Sequence, residues 1–184
     1  MRPASEILGT LAVAGLVLLT AVPLHAQEAP RHRSGFWLTG GLGGGVDGDG
    51  EGGVAGYVRL GGTLGPRVVL GGEGIAFTVD EGDDVTLTRA NATATALFYP
   101  VAENGLFLKG GIGFATAEAS VEQDDVTITV SDEGFGATLG AGYDVHLGDG
   151  NLYVTPGVDV LLQSFDDIEG NTSLFLFTVG IGFH

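Results

Sequence analysis

Six ionisable residues, Arg59, Glu73, Arg89, Lys109, Asp144 and Asp159, are scattered through segments that otherwise alternate bulky apolar with small residues. Charges in such surroundings are stable only when paired. Brought together, these six would form an internal salt-bridge network. Two roles fit it: a structural plug, or the gate of a narrow pore. Other motifs offer less. In DGDGEGG (47–53), Asp47, Asp49 and Glu51 stand two residues apart, with Gly52 where a calcium loop turns sharply. The acid such a loop needs at its last position is replaced by Val58, so the segment reads as a hairpin tip. GGLGGG (40–45) lacks the Lys-Ser/Thr pair of a phosphate loop and opens no helix. None of the four histidines, His25, His32, His146 and His184, has a serine and an acid at relay spacing. The residues point to no enzyme, no metal site and no cofactor.

The elements that would position the six charges alternate with period two, the signature of strands. In 135–147 the odd positions are Phe135, Ala137, Leu139, Ala141, Tyr143, Val145 and Leu147, against Gly136, Thr138, Gly140, Gly142, Asp144 and His146. Segments 106–116, 152–162 and 172–184 repeat the pattern. Segments 35–44, 54–61, 67–77 and 85–99 carry it more weakly. In the last two the phase is ambiguous, because Val69, Ile75 and Phe77 oppose Val68 and Leu70. Pro156 costs one of these strands a ladder hydrogen bond. The connections alternate between short, at 63–66, 101–104 and 148–151, and longer, at 46–53, 78–84, 117–133 and 164–171. Eight strands of about ten residues with such connections describe an all-β, antiparallel, up-and-down transmembrane barrel.

The apolar parity must then face lipid. If it filled the interior, the outside would be largely glycine. Turned outward, it leaves small and polar groups in the bore, and closure satisfies backbone groups that find no water in a bilayer. Arg59, Lys109, Asp144 and Asp159 lie in strands whose phase other residues set, and all four fall on the polar parity. An eight-stranded barrel is only about wide enough for its own side chains, which favours the plug, although inward glycines leave room for water. Aromatic residues gather toward both strand ends: Phe36, Trp37, Phe98, Tyr99, Phe107, Tyr143, Tyr153 and Phe183 on the short-turn side, and Phe77, Phe135, Phe165 and Phe175 on the other. These are candidates for two interfacial belts.

The chain has 184 residues, 7 Lys and Arg, 23 Asp and Glu, and no cysteine. So acidic a composition argues against nucleic-acid binding, and the missing thiols exclude disulfides and thiolate metal sites. The long connections hold 16 of the 23 acids and no Lys or Arg. They suit solubility and repulsion at a surface, divalent-cation bridging to lipopolysaccharide, or attraction of basic partners. At the N-terminus, Arg2 and an apolar run to Val22 precede PLHA. This reads as a cleavable signal peptide over 1–26, a loose tail over 27–34 and a barrel over 35–184. Gly72, Gly74 and Ala76 beside Ala90, Ala92, Ala94 and Ala96 would form a shallow lipid-facing patch suited to weak self-association.

The stretches ALFYPVAENGLFLKGGIGFA (96–115), GAGYDVHLGDGNLYVTPGVDV (140–160) and TVGIGFH (178–184) resemble the small outer-membrane β-barrel family, OmpA/OmpX-like. The resemblance implies a bacterial outer-membrane location among lipid and lipopolysaccharide. It also implies passage through the Sec translocon and periplasmic chaperones, and insertion by the barrel-assembly machinery. Phe175, Phe177, Val179, Ile181 and Phe183 would serve as the terminal assembly signal. The expected role is structural, or a surface interaction through acidic extracellular loops; the alternative is a narrow passive pore for ions or small solutes.

Overall fold

The computed structural model describes residues 35–80, 85–123, 126–148, 150–165 and 171–184; the expected signal segment 1–26 and tail 27–34 lie outside them. The strands are β1 (Phe36–Asp47), β2 (Gly52–Gly65), β3 (Val68–Asp80), β4 (Val85–Phe98), β5 (Leu106–Gln123), β6 (Val126–Tyr143), β7 (Leu152–Phe165) and β8 (Asn171–Phe183). A two-residue segment, Val145–His146, continues β6 past Asp144. Each strand pairs antiparallel with the next, and β8 pairs with β1, which closes an eight-stranded barrel.

Local chemistry explains the irregular points. Gly50 and Gly148 adopt φ of +88° and +65°, which only glycine takes cheaply in a tight turn. The β6–β7 ladder skips Tyr143 and Asp144 between Gly142↔Gly157 and Val145↔Val154, without a change of register. The gap lies opposite Thr155 and Pro156, so the missing proline N–H falls where the ladder is already open.

Sidedness follows the alternation. Leu139, Val158 and Ile181 are 54%, 51% and 60% exposed, while Lys109 and Asp144 are each 4% exposed. A continuous apolar girdle of this kind belongs in lipid rather than water. The ambiguous third strand resolves with Val69, Ile75, Phe77 and Val79 inward and Val68 and Leu70 outward.

Four sequence expectations are corrected. The bore is not confined to small and polar groups, because aliphatic and aromatic side chains fill it above and below the charges. Trp37, Phe77, Tyr99, Phe107, Tyr153 and Phe165 point inward and belong to that packing, not to interfacial belts. Several inward glycines do not leave room for water. A methyl group at Gly180 would meet the Tyr57 hydroxyl, one at Gly182 or Gly142 the rings of Tyr153 or Phe107. These three glycines are sockets for bulky neighbours, so an emptier stretch of one strand complements a fuller one of another.

The fourth correction concerns 117–133, expected as a long loop. β5 and β6 each run for 18 residues and pair as far as Gln123↔Val126. Outward positions change character along this hairpin. Phe114 and Phe135 are the last apolar pair; Thr116 and Glu133 follow, then Glu118 and Ser131. The switch from hydrocarbon to hydroxyl and carboxylate marks the upper edge of the lipid-facing band. Asp47, Asp80, Glu118, Glu122, Asp132 and Glu133 therefore sit on strand ends rather than in loops, still at the long-connection end.

Candidate functional site: the ionic core of the bore

Arg59 and Glu73 face one another in the register of β2 and β3. Arg59 Nε donates to Glu73 Oε2, and its Nη2 donates to Asp159 Oδ2 at 3.1 Å. Lys109 Nζ completes the square, 2.8 and 2.6 Å from the Glu73 oxygens and 2.7 Å from Asp159 Oδ1. Each cation contacts both anions. The guanidinium also stacks over the Tyr57 ring, 4.0 Å from its centroid. The four groups sum to zero charge, and all four are buried. Buried ions in this arrangement are held because their partners satisfy them, while removal of one strands the others.

The tetrad lies between two apolar layers. Toward the short turns, Trp37, Val69, Leu97, Tyr99 and Phe107 pack together. Toward the long connections, Ala55, Tyr57, Ile75, Phe77, Val79, Leu161, Leu174 and Leu176 do so. A polar clasp accompanies the upper layer, where Gln163 Nε2 donates to Asn91 Oδ1 at 2.8 Å and Asn91 Nδ2 to the Ala137 carbonyl at 3.1 Å. The tetrad, these two layers and the clasp occupy the bore.

The other two predicted charges stand apart from this square. Asp144 accepts hydrogen bonds from Tyr99 Oη at 2.8 Å and Thr155 Oγ1 at 2.7 Å, nearer the short-turn end. Arg89 lies by the opposite rim, 3.8 Å from Asp47. The six residues thus form three groups rather than one network, because their heights along the strands differ. Sequence reading missed Tyr57, Tyr99, Thr155, Asn91 and Gln163. All lie on the inward parity, which was the signal for Tyr57, Thr155 and Gln163, whereas Asn91 and Tyr99 lie in a segment whose phase the sequence leaves ambiguous.

Asp47 in the calcium-like segment is committed to its own turn, accepting the N–H groups of Asp49 and Glu51 at 3.0 and 2.9 Å. Among the described residues no group of three or more His, Asp or Glu could hold a metal. Phe175, Phe177, Val179, Ile181 and Phe183 form the exposed face of β8. Gly72, Gly74 and Ala76 lie opposite Ala94, Ala92 and Ala90 on the outer wall.

No family model matches the chain, and no curated protein matches it. Solved structures do. Neisserial surface protein A superposes with a TM-score of 0.60 at 13% identity, covering 82% of this chain and 97% of that one. Ail, the attachment invasion locus protein of Yersinia pestis, gives 0.59 at 12% identity, with 82% and 98% covered. The N-terminal β-barrel domain of Pseudomonas aeruginosa OprF gives 0.50 at 14% identity, with 83% and 100% covered. Ail has also been solved with the heparin analogue sucrose octasulfate. The chain has the fold of the small eight-stranded outer-membrane barrels.

Proposed function

We propose that this protein is an exported bacterial outer-membrane barrel, without catalysis, whose sealed bore is a structural core and whose acidic long-connection end meets basic partners at the cell surface. The observation that carries this reading is the segregation of charge. Sixteen of 23 acids fall in the four long connections as read from the sequence, with no Lys or Arg among them. Arg89, the cation nearest that end, is paired with Asp47. A field of one sign raises the local concentration of oppositely charged partners.

Sulfated polysaccharides have the wrong sign for such a surface, so a polyanion of the kind solved with Ail is not its ligand. Divalent cations bridging to lipopolysaccharide would be a secondary contact. On the way to the membrane the chain would use the Sec translocon, periplasmic chaperones and the barrel-assembly machinery, with the exposed residues of β8 as the terminal signal.

The test is binding of fluorescent polylysine to the full chain in zwitterionic lipid vesicles. Binding should fall steeply with salt and weaken when Asp49, Glu51, Glu118 and Glu133 are changed to amides, while sucrose octasulfate should not bind. Polylysine binding no stronger than to protein-free vesicles would overturn the reading.

A further inference from the structure

Four asparagines occur in the chain, and only Asn104 precedes a glycine. It closes the short connection between β4 and β5, where its N–H donates to the Val101 carbonyl at 3.3 Å. The same turn folds the side chain over the peptide that follows, because Leu106 N–H donates to Asn104 Oδ1 at 3.1 Å. This is the Asx arrangement, in which a side-chain carbonyl takes the place of a main-chain one. Gly105 N is a member of the ring that this hydrogen bond closes, and ladder pairing starts only at Leu106↔Tyr143. Asn104 is partly exposed and Glu103 beside it is exposed, so water reaches the turn.

These features are the ones an intramolecular acyl transfer needs. Attack of Gly105 N on Asn104 Cγ closes a five-membered ring, and partners held in one arrangement react as though very concentrated. Gly105 has no Cβ to obstruct the approach. Leu106 N–H already points at Oδ1, where negative charge develops when the carbonyl is attacked.

We propose that Asn104 is a site of self-modification, at which the side-chain amide is lost and the chain is rejoined mainly through the side-chain carbon. Gly105 N attacks Asn104 Cγ and gives up its proton. The bond from Cγ to the side-chain nitrogen breaks, and ammonia leaves with that proton. Water then opens the cyclic imide. Addition at the main-chain carbonyl carbon of residue 104 leaves the chain joined through Cγ, as isoaspartate; addition at Cγ leaves aspartate. One water enters, one ammonia departs, and no oxidant or reductant is needed.

The consequence falls on the bore. The isoaspartate linkage adds a methylene to the main chain beside Gly105, whose carbonyl accepts Asp144 N–H at 2.9 Å. Gly105 has no slack there, since a methyl group on it would meet the Asp144 carbonyl oxygen. Asp144 in turn accepts from Tyr99 and Thr155. Displacement of Gly105 therefore loosens the short-turn end of the bore packing.

The experiment incubates the full folded chain in lipid vesicles in heavy-oxygen water at mildly alkaline pH, read by peptide mass spectrometry and an isoaspartate-specific methyltransferase. Label and isoaspartate should accumulate at residue 104 at least about tenfold faster than at Asn151, which is exposed in another short turn but precedes leucine. Asn104→Gln, which would have to close a larger ring, should take up no label in the same interval. A rate at 104 no greater than at 151, or uptake only after the barrel is unfolded in urea, would overturn the proposal. The deamidated fraction, isolated by its added charge, should exchange the Asp144 amide faster than freshly prepared Asn104→Asp, which has the same charge without the methylene. Equal exchange would overturn the link to the bore.

Discussion

Lys109 and Asp159 form an ion pair across a strand that separates them. Nζ lies 2.7 Å from Oδ1, yet β6 runs between β5 and β7, and Gly140 is the β6 residue opposite both. The contact exists because Gly140 has no side chain. A methyl group there would collide with the Asp159 carboxylate and approach the Val158 carbonyl oxygen to 2.8 Å.

Gly140→Ala should therefore open the square of charges and destabilise the barrel by about 1–3 kcal/mol, the usual cost of overpacking. Gly110→Ala, whose added methyl meets only Leu139 at 3.9 Å on the outer wall, should change stability by less than about 0.5 kcal/mol. Urea unfolding in lipid vesicles, followed by Trp37 fluorescence, measures both. Equal effects would remove the special role assigned to Gly140.

Lys109→Met leaves Arg59 facing two carboxylates in the bore. Loss of about 3–5 kcal/mol is expected. Adding Glu73→Gln restores neutrality around the Arg59–Asp159 pair, so the double variant should be more stable than Lys109→Met alone. A double variant whose losses simply add would show that the four groups do not act as a unit.

The occupied bore predicts that the wild-type protein gives no steady conductance in planar bilayers. Tyr57, Phe107 and Tyr153 fill the sockets left by inward glycines, and the tetrad spans the space between the apolar layers. A sustained open level in the purified, folded protein would favour the narrow-pore alternative and count against the sealed core.

The change of outward chemistry above Phe114 and Phe135 predicts a steep difference between two arginine substitutions. Ile112→Arg places a charge on the lipid face and should cost about 2–4 kcal/mol. Thr129→Arg, beyond the girdle, should cost less than about 0.5 kcal/mol. Similar costs at both positions would misplace the membrane boundary.

The fold was legible because alternation is a strong signal when one face meets lipid. Leu139 against Thr138, or Ile181 against Gly180, assigns a side without any tertiary knowledge. The bore was less legible. Glycine on the inward parity looked like empty space, whereas Gly180 is filled by Tyr57, a residue 123 positions away whose approach depends on strand stagger around the closed cylinder. The same stagger decided which charges meet. Parity placed Arg59, Lys109, Asp144 and Asp159 on the inner wall, but only height along the barrel axis separates Asp144 from the square. The length of β5 and β6 was hidden because beyond the lipid the pattern inverts, leaving Ala117 and Val130 on the side that faces the bore lower down and Thr116 and Glu133 on the other.

The most direct measurement exploits the absence of native cysteine. Single cysteines at Leu139, Val158 and Ile181, spin-labelled in the folded protein in lipid, should relax strongly with oxygen and weakly with a water-soluble nickel complex, while a label at Thr129 should do the reverse. Thr138→Cys, in the bore, should resist a membrane-permeant maleimide until the barrel is unfolded. Nickel-accessible labels at 139, 158 and 181, together with rapid modification of Cys at 138, would contradict the outward placement of the apolar face on which the account depends.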